Sequence, residues 1–204
     1  MQLVGKYVSL EKTDVSEANL HLEYLNDDET MEHLSFIGPG PGNWTLEAVK
    51  SRLEKLSSAE SELVFSIWTD IDHVLVGQCG LKNIDLKCKT AEFGIIVHKA
   101  FWGLPYAAEA TFLSLDHAFR KLLLHRISFA TSITNIRARR FIASLGAVGE
   151  GIMRDSLFLR DKYVDQLLSS LLADEWPGGE LFLRKGIASK SALLGAKHHG
   201  KVTK

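Results

Sequence analysis

Between residues 91 and 121 the chain changes its periodicity once, and sharply. Ala91-Glu92-Phe93-Gly94-Ile95-Ile96-Val97 reads as a strand, and a helix follows in which Ala107, Ala110, Leu113, Ala118 and Leu122 share one face. The link is His98-Lys99-Ala100-Phe101-Trp102-Gly103-Leu104-Pro105-Tyr106. A loop that feeds a helix start in this way presents backbone N–H groups with no intrahelical partner, at the positive end of the helix dipole. Such a turn is a binding place for phosphate or pyrophosphate, or simply a packing turn, and the element alone admits both. The chain has neither a GxxxxGK[ST] nor a GxGxxG run, so P-loop and Rossmann nucleotide sites are disfavoured.

The flanking segments place this unit in an α/β domain. Leu3 to Leu10 reads as a first strand, and Asp14 as the N-cap of a helix reaching about Asn26, with Ala18, Leu22 and Leu25 on one face. Gly38-Pro39-Gly40-Pro41-Gly42-Asn43 is a loop, after which Thr45 caps a helix carrying Val49, Leu53 and Leu56. Strands Leu63–Trp68, Val74–Asp85 and Ala91–Val97, joined by polar turns, predict an antiparallel meander. Beyond the central helix, Arg126–Ile133 reads as a buried strand. Asn135 caps a helix from Ile136 to Leu145, which stops at Gly146 as at a C′ glycine. Val148–Arg154 with Leu157–Leu159, and Tyr163–Leu172, read as closing strands.

Composition narrows the classes of function. At 204 residues, 46 % of them apolar, the chain suits one domain with a sizeable core. No apolar stretch approaches the roughly 20 residues needed to cross a bilayer, and the N-terminus lacks a secretory h-region. Cys79 and Cys88 read as two thiols in a reducing compartment, so a cytoplasmic protein without membrane contact is expected. The histidines are scattered apart from His198-His199, and no metal site is proposed. The formal charge of −1 hides an asymmetry: residues 177–204 carry six basic side chains and one acid, leaving −6 on the body. An acidic body argues against direct nucleic-acid binding.

The run Phe101-Trp102-Gly103-Leu104-Pro105-Tyr106-Ala107-Ala108-Glu109-Ala110 resembles the acetyl-CoA pyrophosphate loop of the GNAT N-acetyltransferases. It is similar, more narrowly, to the RimJ/RimL branch, whose loop usually reads Trp-Gly-Lys-Gly-Tyr-Ala-Thr-Glu-Ala. His125-Arg126-Ile127, Asn135 with Leu145-Gly146, Glu150-Gly151-Ile152-Met153-Arg154, Tyr163-Val164-Asp165 and Asp174-Glu175-Trp176 resemble further segments of that branch, in order. The resemblance spans residues 3–176. It implies a mixed α/β (α+β-like) GNAT fold: a twisted, mostly antiparallel sheet with one splayed parallel strand pair and helices on both faces. The expected organisation is an acetyltransferase domain over 1–176 and a basic, partly mobile C-terminal extension over 177–204.

The resemblance also implies roles. Acetyl-CoA would lie between strands 93–97 and 127–133, its pantetheine arm paired with the backbone of Ile95, Ile96 and Val97 like an added strand. The pyrophosphate would rest on N–H groups of Gly103, Leu104, Tyr106, Ala107 and Ala108, with Trp102 at the cofactor mouth and Ala138 near the CoA sulfur. Glu92 is the candidate base for the acceptor amine; its other reading is a strand glutamate paired with Lys82 or Lys89. Asn135 would bond the pantetheine amide or a water, or serve only as an N-cap. Trp68 and Trp102 line the acceptor groove or CoA mouth, or merely pack. Three positions depart from the branch: Pro105 replaces a glycine, Ala138 a serine and Ala147 a phenylalanine, while Ile142 is not the tyrosine of other GNAT enzymes.

The expected activity is acetyl transfer from acetyl-CoA to a primary amine by direct attack in a ternary complex. The acceptor would be a protein N-terminus or a small-molecule amine, and the protein a monomer or homodimer. The alternative is a catalytically weak or silent acyl-CoA-binding or interaction module on the same fold.

Overall fold

The computed structural model describes residues 1–34 and 38–178. Its elements run β1 (Gln2–Val4), β2 (Val8–Lys12), α1 (Ala18–Leu25), α2 (Leu46–Ser58), β3 (Leu63–Thr69), β4 (Leu75–Asp85) and β5 (Thr90–Val97), then α3 (Tyr106–Arg120), β6 (Arg126–Ser132), α4 (Ile136–Ser144), β7 (Val148–Leu159) and β8 (Lys162–Leu172). The strands form one sheet in the order β1-β2-β3-β4-β5-β6-β8-β7. Every neighbouring pair is antiparallel except β5–β6. The meander, the single parallel pair and the closing hairpin match the expectation.

Alternation along β5 shows why helices cover both faces. Ala91 and Phe93 join a core with Leu10, Phe65, Ile67, Leu81, Leu115, Phe119, Ile127 and Leu171, packed under α3. Ile96 points to the opposite face and joins Tyr24, Leu25, Met31, Trp44, Val49 and Leu53 of the α1–α2 layer. The body closes at Trp176, buried against Phe112 and Phe119, with its Nε1 donating to Asp116 Oδ1 at 2.6 Å. From residue 179 the basic extension lies outside the described residues. Among those described, no helix is long and apolar enough to cross a membrane.

Two elements differ from their expected form. The first strand is broken: Gly5–Tyr7 leave the ladder in a turn closed by Gly5 N–H on Val8 O, where a buried carboxylate takes the backbone donors of Lys6, Tyr7 and Val8. Glu109 of α3, fully buried, accepts from Lys6 N–H at 2.8 Å (Oε1), and from Tyr7 N–H at 2.6 Å and Val8 N–H at 2.8 Å (both Oε2). Gly5 is required there, since a Cβ would stand 2.5 Å from the Glu109 carboxyl carbon. The helix capped by Asp14 opens as a single 3-10 turn, Val15–Glu17, before α1. By contrast α4 ends as read, with Gly146 at φ +93 in the C′ position.

Candidate active site

The parallel pair is short. Its register holds only for Thr90–Arg126, Ala91–Ile127 and Glu92–Ser128, after which the two strands separate. β5 continues to Val97 on β4 alone, so its β6-facing backbone groups beyond Glu92 have no strand partner. A V-shaped gap results, with Glu92 at its vertex and Val97 at its wide end, roughly 16 Å along the strand. An open cleft of about 180 Å³ occupies this region. Glu92, Ile95, Ile96, Asn135 and Ala138 line it, so five of the expected site residues are brought together.

The other expected residues lie at the wide end. α3 starts at Tyr106 with no side-chain cap, leaving the N–H groups of Tyr106, Ala107 and Ala108 as open helix donors, while Glu109 N–H already bonds Pro105 O at 3.0 Å. Pro105 precedes the first helical residue with φ −71, the value a proline ring favours, so its missing N–H removes none of those three donors. Gly103 holds φ +81, which only glycine adopts at little cost, and is exposed. Leu104 differs from its expected role: its N–H donates to Phe101 O at 3.3 Å and closes the loop. The open helix donors of α3 thus stand at the wide mouth of the strand gap.

Trp102, expected at the cofactor mouth, and Arg137, which the sequence left without a role, frame that mouth. Trp102 Nε1 donates to Val97 O at 2.8 Å, and Arg137 of α4 stacks on its ring at 3.5 Å from the centroid. Trp102 thus ties the loop to the end of β5 and holds a cation there. Trp68 lines no part of the cleft; it stacks on His73, with ring centroids 4.4 Å apart. Asn135 Oδ1 accepts from Ala138 N–H at 3.0 Å as the N-cap of α4, leaving its amide nitrogen for a ligand. Glu92 sits opposite Lys82 in the β4–β5 register, but among the described residues it makes no ion pair with Lys82 or Lys89.

The α1–α2 face carries a buried polar network. His21 Nδ1 lies 2.6 Å from the Tyr24 hydroxyl, and its Nε2 lies 3.2 Å from both Glu17 and Ser66, which also contact each other. Gln78, a cleft residue, donates to Thr13 Oγ1 at 3.3 Å, as Ser66 does at 3.1 Å. Burial holds His21 below its ordinary pKa against the pull of Glu17, and pushes the Tyr24 phenol above its own. The segment after α1 crosses toward the loop between β5 and α3. Lys99 Nζ meets Asp27 at 2.8 Å and Lys99 N–H donates to Thr30 Oγ1 at 3.0 Å. Desolvation opposes ionisation of Asp27, yet Lys99 and Thr30 outweigh it and hold the carboxyl at about 2. Cys79 also lines the cleft, but burial pushes its thiol up to about 12, so it offers no thiolate.

A family profile described as Acetyltransferase (GNAT) domain matches residues 8–148. This chain belongs to the GNAT acetyltransferases. A curated relative, "Probable N-acetyltransferase YjcK" of Bacillus subtilis (strain 168), is 33 % identical over 181 residues, covering 85 % of this chain and 98 % of its own. Among solved structures, Mycobacterium smegmatis RimJ in complex with CoA-disulfide superposes with a TM-score of 0.78 at 23 % identity, covering 87 % of this chain and 88 % of that one. Spermidine N-acetyltransferase from Vibrio cholerae, in complex with CoA and spermine, gives 0.75 at 20 %, covering 84 % and 98 %. The protein is an acyltransferase of GNAT type, with the mixed sheet of that fold.

Proposed function

We propose that this GNAT protein moves the acetyl group of acetyl-CoA to a primary amine in a ternary complex, and that it falls in the RimJ/RimL-like branch. The observation that carries the reading is the end of β5–β6 pairing at Glu92–Ser128 beside an uncapped helix start. In this reading residues 1–176 are the catalytic domain and 177–204 an appended basic segment.

The chain's own groups supply four things. The backbone of Ile95–Val97 holds the pantetheine arm as a strand edge holds an added strand. The N–H groups of Gly103, Tyr106, Ala107 and Ala108 hold the pyrophosphate, with the Arg137 guanidinium beside them. A β5 backbone N–H directed at the thioester oxygen stabilises the oxyanion. Glu92, directly or through water, takes a proton from the amine, which must be neutral to attack although a free α-amine titrates near 8. Glu92 passes that proton to solvent; nitrogen then bonds to the acetyl carbon, the C–S bond breaks, the second N–H proton leaves through Glu92 or water, and the thiolate takes up a proton. Water suffices for that last transfer, because a thiol titrates near 8.5.

One observation favours the second reading, a catalytically weak acyl-CoA-binding module. Ala138, Phe141 and Ile142 are the α4 side chains lining the cleft, and none offers a hydroxyl to the departing sulfur. Two measurements separate the readings. Acetyl-CoA at millimolar concentration raises the melting temperature under both, whereas free thiol released with a panel of primary amines appears only under the first. No thermal shift sinks both; a shift with background thiol release leaves the second.

A further inference from the structure

Residues 27–34, which follow α1, touch both sides of the strand gap at its wide end. On the β5 side they meet Lys99, just past Val97: its Nζ reaches Asp27 Oδ2 at 2.8 Å and Glu29 Oε1 at 3.8 Å, and its N–H donates to Thr30 Oγ1 at 3.0 Å. On the β6 side, His33 Nδ1 lies 3.4 Å from the hydroxyl of Thr134, the residue before Asn135, and Glu32 lies 3.4 Å from Arg160 in the turn between β7 and β8. The segment's own shape is fixed. Thr30 N–H donates to Asp27 Oδ1 at 2.7 Å and Met31 N–H to Asp27 O at 3.0 Å, while Met31 is fully buried in the cluster that holds Ile96 of β5. A strap thus joins two strands that no longer pair with each other. Its firm end is Lys99, whose ammonium and N–H are both held by the strap and whose carbonyl accepts from Trp102 N–H at 3.1 Å, closing the turn before Gly103.

Resting on the acetyltransferase reading above, we infer that the strap fixes the spacing between the β5 edge and the loop that receives acetyl-CoA, so that Asp27 and Thr30 are positioning residues for the donor. In that reading the donor is gripped at two places, along Ile95–Val97 and at the start of α3. A ligand held at two places binds best when their separation is set beforehand; otherwise binding must also order the loop between them. Asp27 and Thr30 act through Lys99 and leave the vertex at Glu92 untouched. Their loss therefore weakens donor binding and spares the chemical step once the donor is bound. The Lys99 ammonium is itself engaged by two acids, so a phosphate would have to displace them to use it.

Calorimetric titration of the full chain with acetyl-CoA tests this. Thr30→Val, which keeps the shape and removes the hydroxyl, and Asp27→Asn should each raise the acetyl-CoA Kd about ten-fold, the effect of one lost contact of this kind. Thr30→Ser, which keeps the hydroxyl, should stay within about two-fold of the wild type. Joining Thr30→Val to Lys99→Met should weaken binding no further than the weaker single variant, because both act through one contact. With any primary amine that is turned over, KM for acetyl-CoA rises in Thr30→Val while kcat at saturating donor is unchanged. Urea midpoints without ligand show which variants fold, and if Thr30→Val does not, Asp27→Asn and Thr30→Ser decide. An unchanged Kd in folded Thr30→Val and Asp27→Asn, or a Thr30→Ser that binds as poorly as Thr30→Val, overturns the inference. So does tighter binding in Asp27→Asn with weaker binding in Lys99→Met, which would make Lys99 a phosphate ligand in its own right. No binding of millimolar acetyl-CoA by the wild-type protein would instead overturn the acetyltransferase reading beneath it.

Discussion

The two walls of the cleft are built by different means. In the proposed reading, recognition on the cofactor side rests on backbone: the free edge of β5, the Gly103 turn and the first N–H groups of α3, all within the sixteen residues 93–108. On the α1–α2 side it rests on side chains from distant segments, with Thr13, Glu17, His21, Tyr24, Arg52, Ser66 and Gln78 meeting across two helices and two strands. A backbone site tolerates side-chain change, because its donors exist whatever residue carries them. A side-chain site changes character with one substitution. That difference suits a family that keeps one acyl donor while its acceptors vary.

The sharpest way to break the contrast is Glu109, a long-range side chain by which the first turn of α3 in the backbone-built wall is tied to residues 6–8. Glu109→Ala leaves three backbone donors of residues 6–8 unmatched, and should cost about 4 kcal/mol of stability, read as a lower urea midpoint at unchanged slope. A loss below about 1 kcal/mol would mean that the wall stands without it. Glu92→Gln, at the vertex where the walls meet, should lower kcat about 100-fold while the acetyl-CoA thermal shift stays. Unchanged kcat would return Glu92 to the role of a strand glutamate opposite Lys82.

The smallest effect belongs to the buried network of the acceptor wall. His21 has a folded pKa below its unfolded value, so its contribution to stability is present above about 6.5 and is lost as pH falls through and below that value. The unfolded chain then binds a proton that the folded one resists, and stability declines by up to about 1.4 kcal/mol per pH unit. Denaturation between pH 7 and 5 measures the slope. His21→Gln should flatten it; an equal slope in the variant would place the acid sensitivity in another group, and not in Asp27, whose folded carboxyl at about 2 loses its contribution only as pH falls below about 3.8.

How far the sequence carried differs between the walls for the same reason. The meander, the helix start, the N-cap at Asn135 and the stop at Gly146 are local signals, set by periodicity and by residues within one turn of the feature they define. Glu109 was visible only as a letter of a motif, and its partners at residues 6–8 lie about a hundred positions away. Trp68 was a candidate groove residue by type alone, and its stack on His73 depends on a turn whose path local sequence does not set. Arg52 carried no signal: an arginine among charged residues in an amphipathic helix reads as solvated until the neighbouring sheet covers it.

The sequence by itself therefore determined the order of strands and helices, the family and the glycine-bearing turn before α3, because each is encoded by neighbours along the chain. Tertiary structure alone decided that β5 and β6 part just after Glu92, that Glu109 is consumed in holding the N-terminal segment, and that Arg52 of α2 reaches the cleft. Those three depend on which distant groups exclude water from one another.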